Sequence, residues 1–360
     1  MPSQQSPWLP RWSRRLNFAF GMVAAGIFLT TGLARAQVII SSIVTTANTS
    51  AGSTTESGTN PTTITYQNDV NAITSFNAGG NNYTIQSTAT NAYVRRNTTA
   101  GNFNGANIWE QNAVAANTVV GSNPGNLATM LLGNNLNQGD INLFSNGNTA
   151  TSWQTNIERV DFVWSGGINV QATDGFAVFD MNGTQEGFQV ALITSLGTGL
   201  GTPSSWTFTN ALEVAPGSYG AALDVNNDGS ADATNFRVLR YANGDAMTTH
   251  ADAGSSYTQS LDGTFIRMSD LGIASGTTIY GYAIMATDVT NSGALLANWN
   301  NTTNYSTTTD NIVGGLDLAA FNGQLGRIVP EPATYGVILL GTATGLIALR
   351  RKKITADIAA

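Results

Sequence analysis

The sequence predicts an all-β protein, an antiparallel β-sandwich of the jelly-roll or Ig-like kind. Charged residues make up only 10% of the 360 residues, and Asn, Thr, Ser and Gly dominate the polar positions. This composition disfavours helices and favours strands joined by turns. Segments with period-2 alternation recur along the chain without intervening helical patterns, which is typical of packed antiparallel sheets. Two apolar segments near the ends, residues 18–33 and 333–349, stand apart from this pattern.

The clearest strand is residues 157–164. Its alternation turns Val160, Phe162 and Trp164 to one face, because successive side chains of a strand point to opposite sides. Further strands are predicted at residues 38–40, 219–223, 236–241, 264–268 and 277–285.

Residues 176–179 and 188–193 flank Asp180-Met181-Asn182-Gly183. An Asn-Gly pair between two apolar runs predicts a β-hairpin. Residues 126–136 predict the one short helix, with Leu127 and Met130 at near-helical spacing and Gly133 ending it.

We expect a single exported domain over residues 37–328, with a split near residue 155 as the alternative. Residues 41–63 are almost all small and polar, which predicts a flexible, glycosylated stretch after the first strand. No repeat of fixed period is evident.

The C-terminal region has three parts in sequence. Pro330-Glu331-Pro332 precedes an apolar stretch, residues 333–349, and Arg350, Arg351, Lys352 and Lys353 close it. At helical rise the apolar stretch spans roughly 26 Å, enough to cross a bilayer once with flanking arginines snorkelling. Basic residues stop transfer and stay on the cytoplasmic side, so residues 354–360 form a cytoplasmic tail and the bulk of the chain is exported.

These three elements resemble the PEP-CTERM sorting signal of exported bacterial proteins, which an exosortase recognises and processes. The resemblance covers residues 329–353 and implies that Pro330, Glu331 and Pro332 are the recognition motif. The seven residues after the basic cluster depart from the pattern, since such signals usually end sooner. The alternative is a permanent single-span anchor.

The N-terminal region predicts a signal peptide over residues 1–36. Arg11, Arg14 and Arg15 form a positive flank, residues 18–33 are apolar, and Ala34 and Ala36 form the small-x-small cleavage pattern. Signal peptidase is therefore an expected partner, and the exported chain starts at Gln37. The alternative is that residues 18–33 stay as an uncleaved anchor.

Removing both terminal segments takes away eight of the 15 basic and two of the 22 acidic residues. The exported part keeps seven Arg against 20 Asp and Glu, a formal charge of about −13. Such a surface repels nucleic acid and anionic headgroups and tolerates divalent cations and neutral glycans. The chain has no Cys, which excludes disulfides, thiolate nucleophiles and Cys-ligated metals.

Residues 224–232 resemble the start of an EF-hand calcium loop. Oxygen-bearing side chains at alternate positions surround Gly229, and they belong to Asp224, Asn226, Asp228, Ser230 and Asp232. The position that should supply a bidentate Glu is Asn235, which lowers the expected affinity. A structural Ca²⁺ is one reading, and an Asx-rich turn whose side chains bond their own backbone is the other.

Catalytic patterns are weak. The single histidine, His250, lies in a polar stretch that predicts a loop, and no Gly-x-Ser-x-Gly elbow accompanies it. Glu158 and Asp161 are three residues apart and so point to opposite faces of a strand. Five aromatic residues are candidates for stacking on sugar rings, although core packing is favoured for Trp164. They are Trp153, Trp164, Trp206, Trp299 and Tyr305.

Residues 280–318, including Asp288, Thr309-Asp310 and Asp317, resemble the final part of a β-rich domain of bacterial surface proteins whose function is not established. We therefore expect a non-catalytic cell-surface or extracellular-matrix protein, tethered to the inner membrane before an exosortase processes it and associated with exopolysaccharide or biofilm. The alternative is a surface-displayed carbohydrate-binding lectin or glycan-active hydrolase.

Overall fold

The structure, a computed structural model, confirms an all-β fold built from antiparallel sheets with only very short helices. It describes residues 37–48, 51–55, 63–67, 70–96, 105–111, 118–120, 126–136, 138–146, 155–181, 185–225, 228–231, 233–241, 250–252, 256–298, 301, 304–305 and 315–329. The larger sheet takes the form of a barrel, and the predicted jelly-roll or Ig-like sandwich is not seen. Strands from both sides of residue 155 share the same sheets.

Nine strands are described before residue 155 and are numbered here along the chain. They are β1 (Val38–Asn48), β2 (Ala51–Thr55), β3 (Thr63–Gln67), β4 (Val70–Ala78), β5 (Asn81–Thr88), β6 (Asn91–Arg96), β7 (Ala106–Gln111), β8 (Thr118–Val120) and β9 (Gly139–Leu143). Between the last two lies α1 (Leu127–Met130), a single turn whose N-cap Asn126 accepts a hydrogen bond from the Thr129 N–H. The predicted short helix is thus confirmed, although it ends before Gly133.

The strands after residue 155 carry most of the core. They are β10 (Ile157–Val170), β11 (Gly175–Asp180), β12 (Phe188–Ser195), β13 (Thr207–Phe208), β14 (Leu212–Val214), β15 (Ala233–Tyr241), β16 (His250–Asp252), β17 (Ser256–Ser260), β18 (Asp262–Arg267), β19 (Thr277–Met285), β20 (Leu316–Ala319) and β21 (Gln324–Ile328). Helix α2 (Gly293–Leu296) and 3-10 turns at Pro203–Ser205 and Met268–Leu271 complete the described elements.

Six strands of the larger sheet close into a ring, because each is hydrogen-bonded to two neighbours. The order is β18, β1, β4, β5, β21, β11 and back to β18, and β20 and β9 extend the sheet from β11. Aromatic and branched residues fill the inside of this ring. Phe76 lies at its centre, where its ring contacts those of Tyr83, Phe179, Phe265 and Phe321 at centroid distances of 5.1–6.5 Å.

A second sheet, in the order β13, β12, β19, β10 and β6 with β14 beside β12, packs on the outside of the ring. Side chains of β11 alternate between the two cores: Ala177 and Phe179 face the ring interior, and Phe176 and Val178 face the second sheet. Phe176 stacks on Tyr282 of β19 at a centroid distance of 4.0 Å. Burial on both faces explains why β11 reads as a continuous apolar run.

The predicted face of residues 157–164 is confirmed. Val160, Phe162 and Trp164 are buried between the sheets, whereas Val163 packs with Ile193 and Trp206 on the outer face. Strand β19 matches the predicted residues 277–285. The predicted strands at residues 38–40, 236–241 and 264–268 are also present, in β1, β15 and β18.

The predicted hairpin across Asn182-Gly183 is wrong. Strand β11 belongs to the ring and β12 to the second sheet, so their connection crosses between sheets. Both strands are apolar on both faces, so their sequences do not indicate which strand each pairs with. The Asn-Gly turn signal alone therefore predicted a pairing that does not form.

Two further expectations differ from the structure. Residues 219–223 do not form a strand, although Gly220 N–H and Leu223 N–H donate to the carbonyls of Gly263 and Leu261. The polar stretch after residue 40 continues as strand to Asn48, because β4 supplies a paired partner for it.

The ring has two ends that differ in composition. One end, which we call the exit end because the chain leaves the ring there after β21, holds the β4–β5 turn, Gly79-Gly80. Val38 lies beside this turn, and Val329 N–H donates to Asn82 O at 3.0 Å. Both glycines have positive φ, 57° and 77°, as a two-residue type I′ turn requires. At the opposite end, which we call the carboxylate end, β11 and β18 place Asp180 directly across from Asp262.

Candidate functional site

The predicted sorting and processing residues lie outside the described residues. These are Ala34 and Ala36 of the cleavage pattern, Pro330, Glu331 and Pro332 of the sorting motif, and Arg350, Arg351, Lys352 and Lys353. Val329, directly before the motif, is the last described residue and follows β21, a strand of the ring that ends at Ile328. Within residues 37–329 as described, no helix is both long and apolar enough to cross a membrane.

The predicted calcium loop forms a tight turn in its described part. Asp224 accepts hydrogen bonds from the Asp228 N–H at 3.2 Å and the Gly229 N–H at 2.7 Å. Asp228 Oδ1 accepts from the Ser230 N–H and hydroxyl at 2.9 and 2.6 Å. Gly229 has φ 91°, which agrees with the sharp turn expected of it. Asn226 and Asp232, the two other predicted ligands, lie outside the described residues.

These bonds are those of an Asx-rich turn, and they leave acceptor capacity. A carboxylate offers about four lone-pair sites, and the described part of the chain uses two at Asp224. Among the described residues no group of three His, Cys, Asp or Glu side chains is placed to hold a metal ion.

The loop is attached to the carboxylate end of the ring. Thr45 Oγ1 and Asn71 Nδ2 both donate to Val225 O, at 2.7 and 3.2 Å, and these residues lie near the far ends of β1 and β4. Leu223 N–H donates to Leu261 O at 2.9 Å, next to Asp262. The loop is therefore held by the body of the ring at its N-terminal end.

Beside the loop lies a cluster of buried carboxylates that we had not predicted as a site. Asp180, Asp262 and Asp317 have at most 4% of their surface exposed. Asp180 accepts from Asp317 N–H at 3.0 Å and from Gln185 N–H at 3.1 Å, and Gln185 Nε2 donates to Asp262 at 3.1 Å. Asp317 accepts from Asn142 N–H at 2.7 Å. Neutral donors thus supply these contacts.

Burial and like charge set the protonation of this cluster. Burial, together with the negative charges of Glu186 and Asp317 and a hydrogen bond to Glu186, raises the pKa of Asp180 well above its ordinary value. Burial also raises the pKa of Asp262, although the bond from Gln185 opposes the shift. Each Asp adjoins an apolar residue, Phe179, Leu261 or Leu316, but this local pattern does not show that the three lie together.

A second buried polar cluster lies under the outer face of β10. Arg159 is fully buried and pairs with Asp161 through its Nε at 2.9 Å and its Nη2 at 3.0 Å. It also donates to Tyr305 Oη and to Leu296 O, the latter at 2.7 Å. Arg95 lies over the Tyr305 ring, 3.5 Å from its centroid. Burial raises the pKa of Tyr305 to about 12, so this hydroxyl stays protonated at neutral pH.

Glu158 and Asp161 are both fully buried. Their predicted separation onto opposite sides of one strand is not seen, because a register shift between Ile157 and Arg159 interrupts the alternation of β10. The charges of both Glu158 and Asp161 act on the Tyr305 hydroxyl. Burial raises the pKa of Asp161, and the charge of Arg159 opposes that shift. The chemistry of this cluster is that of an internal ion pair.

The aromatic residues considered for sugar stacking are largely buried. Trp206 and Trp164 have 1% and 3% of their surface exposed, and Tyr305 has none. Trp206 packs edge-on against Tyr93 at 5.2 Å and donates from Nε1 to Gly199 O at 3.1 Å. Trp153 and Trp299 lie outside the described residues. The three described side chains therefore cannot offer a ring face to a glycan.

His250 begins β16, where its backbone pairs with Tyr241, so the expected loop is a strand edge.

No protein family, curated protein or solved structure that we compared matches this chain.

Proposed function

We propose that this chain is a non-catalytic exported protein of the bacterial cell surface or extracellular matrix. Residues 333–349 hold it in the inner membrane until an exosortase processes it, and signal peptidase removes residues 1–36. The observation that carries the proposal is the order of Pro330-Glu331-Pro332, an apolar stretch of membrane length and a basic cluster.

The body of the protein supports a scaffold role. Its charge of about −13 suits an extracellular surface that repels polyanions and tolerates neutral polymers such as exopolysaccharide. The described candidates for sugar stacking are packed in the core instead, and Trp206 and Tyr305 are at most 1% exposed. A glycan-binding lectin or hydrolase is therefore less well supported than a structural component of the matrix.

The sorting proposal is tested by the mass of the C-terminus. Full-length protein with Pro330→Ala and Pro332→Ala is expressed in a strain that has an exosortase, and intact mass spectrometry follows. The variant is expected to keep its tail, whereas the parent loses residues beyond the motif. A matched control is Pro216→Ala, which removes an exposed proline from a turn of the body and leaves the motif intact. If parent and double variant have the same C-terminal mass, processing at this motif is refuted.

We also propose a weak structural Ca²⁺ at residues 224–232, with Asp224, Asn226, Asp228, Ser230 and Asp232 as its oxygen ligands. The positive φ of Gly229 and the spare acceptor sites of Asp224 support this proposal. Isothermal titration of full-length protein with Ca²⁺ should show one weak site that Asp224→Asn removes.

The lectin or hydrolase alternative has its own readout. A glycan array probed with and without EDTA separates it from the scaffold role. Selective binding lost on chelation would indicate a lectin, and bond cleavage would indicate an enzyme.

A further inference from the structure

The exit end is where the chain leaves the ring toward the predicted membrane span. Strand β21 runs toward this end, and Ile328 pairs with Tyr83 next to the Gly79-Gly80 turn. Gln37, which follows the predicted cleavage site, lies at the same end, because Val38 contacts Gly79. Three strand spacings separate β1 from β21 around the ring, roughly 15 Å.

The connection between the ring and the predicted span is short. Only residues 330–332 lie between Val329 and Ala333. The four Cα–Cα steps from Val329 to Ala333 reach at most about 14 Å when fully extended. The headgroup layer itself is roughly 5–7 Å thick on each side of the hydrocarbon core. A span that begins at Ala333 therefore holds Val329 within about 10 Å of the headgroups, too close for the body to turn over freely.

The surface of the exit end suits that position. Ile39 and Val329, two of the four exposed large apolar residues described, lie there with 53% and 39% of their surface exposed. Two of its carboxylates are paired with arginine: Asp174 pairs with Arg327 at 2.6 Å and Asp270 with Arg267 at 3.0 Å. Both arginine side chains are about one third exposed, at 31% and 35%. Paired charges lower the repulsion from anionic phosphates that the acidic body otherwise experiences.

We propose that the exit end lies against the lipid headgroups and that the carboxylate end, with the Asp224 loop, points away from the membrane. The inference rests on the proposed membrane anchor and adds an orientation to it. Strand β1 runs from one end to the other, so Thr46 stands roughly 20 Å farther from the bilayer than Val38 once the usual strand tilt of a closed barrel is included. In this orientation the carboxylate end is the part of the protein that is most accessible to molecules outside the membrane.

The absence of Cys allows a direct test with single introduced thiols. Asn81→Cys, in an exposed position at the exit end, and Thr46→Cys, exposed near the opposite end of β1, are labelled with a donor dye. Each full-length variant is reconstituted into phosphatidylcholine vesicles whose headgroups carry an acceptor. Flotation first isolates the vesicle-bound protein, and energy transfer is then measured in that fraction. Transfer from Asn81→Cys is expected to be several-fold higher than from Thr46→Cys.

Two further outcomes separate the orientation from the anchor. Protein that does not float has no membrane span, which overturns the proposed function and this inference with it. Protein that floats but transfers equally from both sites keeps its anchor and overturns the orientation alone. Disulfide formation between Asn81→Cys copies, without the higher transfer, would mean that a second copy covers the exit end, and this also overturns the inference.

The short connection is tested by lengthening it. A Gly-Ser insertion of about 20 residues after Val329 has a root-mean-square span near 25 Å. The insertion is expected to bring the two transfer efficiencies closer together. An unchanged difference would contradict the short connection as the cause of the orientation.

Discussion

The two ends of the strand ring treat buried carboxylates differently. At the exit end Asp174 receives two hydrogen bonds from the Arg327 guanidinium, at 2.9 and 2.6 Å. At the carboxylate end Asp180 receives backbone N–H groups at 3.0 and 3.1 Å and faces Glu186 and Asp317. A cation allows a carboxylate to stay charged when buried, whereas neighbouring carboxylates favour a shared proton. The two ends of the ring therefore differ in charge: at the exit end an arginine neutralises a buried carboxylate, and at the carboxylate end the carboxylates face one another.

The largest expected effect comes from removing the cation at the exit end. Arg327→Met removes the guanidinium from the fully buried carboxylate of Asp174, which keeps the Gln171 N–H, and we expect a loss of about 3 kcal/mol in the free energy of unfolding. Arg267→Met, the matched control, breaks a pair whose Arg is similarly exposed but whose carboxylate, Asp270, is 8% exposed, and it should cost about 1 kcal/mol. Denaturant unfolding of full-length protein in detergent measures both. Equal losses would contradict the difference in burial of the two pairs.

At the carboxylate end the effect of charge removal depends on pH. The folded-state pKa of Asp180 lies above its unfolded value, so the folded state binds more protons between the two values. Stability contributed by this group is therefore present at low pH and is lost as pH rises through that interval. Asp180→Asn cannot ionise and should flatten this part of the stability profile.

Melting temperatures measured at intervals from about pH 4 to pH 9 test this prediction. Asp262, whose pKa burial also raises, lies in the same region, so some dependence on pH should persist. A steeper fall with pH in Asp180→Asn than in the parent would show that the sign is wrong. Asp174→Asn is the control at the exit end and should destabilise the protein by losing its bonds to Arg327.

Calcium removal should have a smaller effect at the same end. If the Asp224 loop binds Ca²⁺ weakly, excess Ca²⁺ stabilises the fold by roughly 1–2 kcal/mol, and EDTA reverses this. Asp224→Asn should lose the response, whereas Asp288→Asn, a change at an exposed Asp in another loop, should keep it. Thermal unfolding with and without Ca²⁺ measures the shift. An identical response in all three proteins would place the ion elsewhere.

The smallest effect on stability is expected at Ile39. Ile39→Ser changes a side chain that is 53% exposed, so the free energy of unfolding should stay within about 0.5 kcal/mol. Vesicle binding of the tail-anchored protein should be unchanged as well, because the span dominates it. Energy transfer from Asn81→Cys to the headgroups should fall only slightly. A large loss of stability would mean that Ile39 is packed rather than exposed.

Local patterns in the sequence predicted much of the fold. The alternation in residues 157–164 predicts the face of β10 that carries Val160, Phe162 and Trp164, and residues 277–285 predict β19 to the residue. Ring closure could not be predicted, because it depends on long-range pairs such as Gly175 with Gly326. Nothing local marks such partners. The Asn182-Gly183 turn signal predicted a hairpin where β11 and β12 belong to different sheets.

The candidate sites also divide into features that a local sequence pattern indicates and features that depend on long-range contacts. The turn at Asp224 was predictable, since its Asx residues and Gly229 are close together in sequence, whereas calcium binding there stays a prediction. The carboxylate cluster was not, because Asp180, Asp262 and Asp317 come from three separate strands that only the sheet brings together. Burial of Trp206 likewise depends on Tyr93 from a distant strand.

The central claim is that the ring is exported and that the chain crosses the membrane once after Val329. Single-cysteine labelling in spheroplasts tests it directly, using Thr46→Cys in the ring and Ala360→Cys at the predicted cytoplasmic tail of unprocessed protein. A membrane-impermeant maleimide should label Thr46→Cys in intact spheroplasts and Ala360→Cys only after permeabilisation. Labelling of both positions only after permeabilisation would place the whole chain in the cytosol and contradict the account.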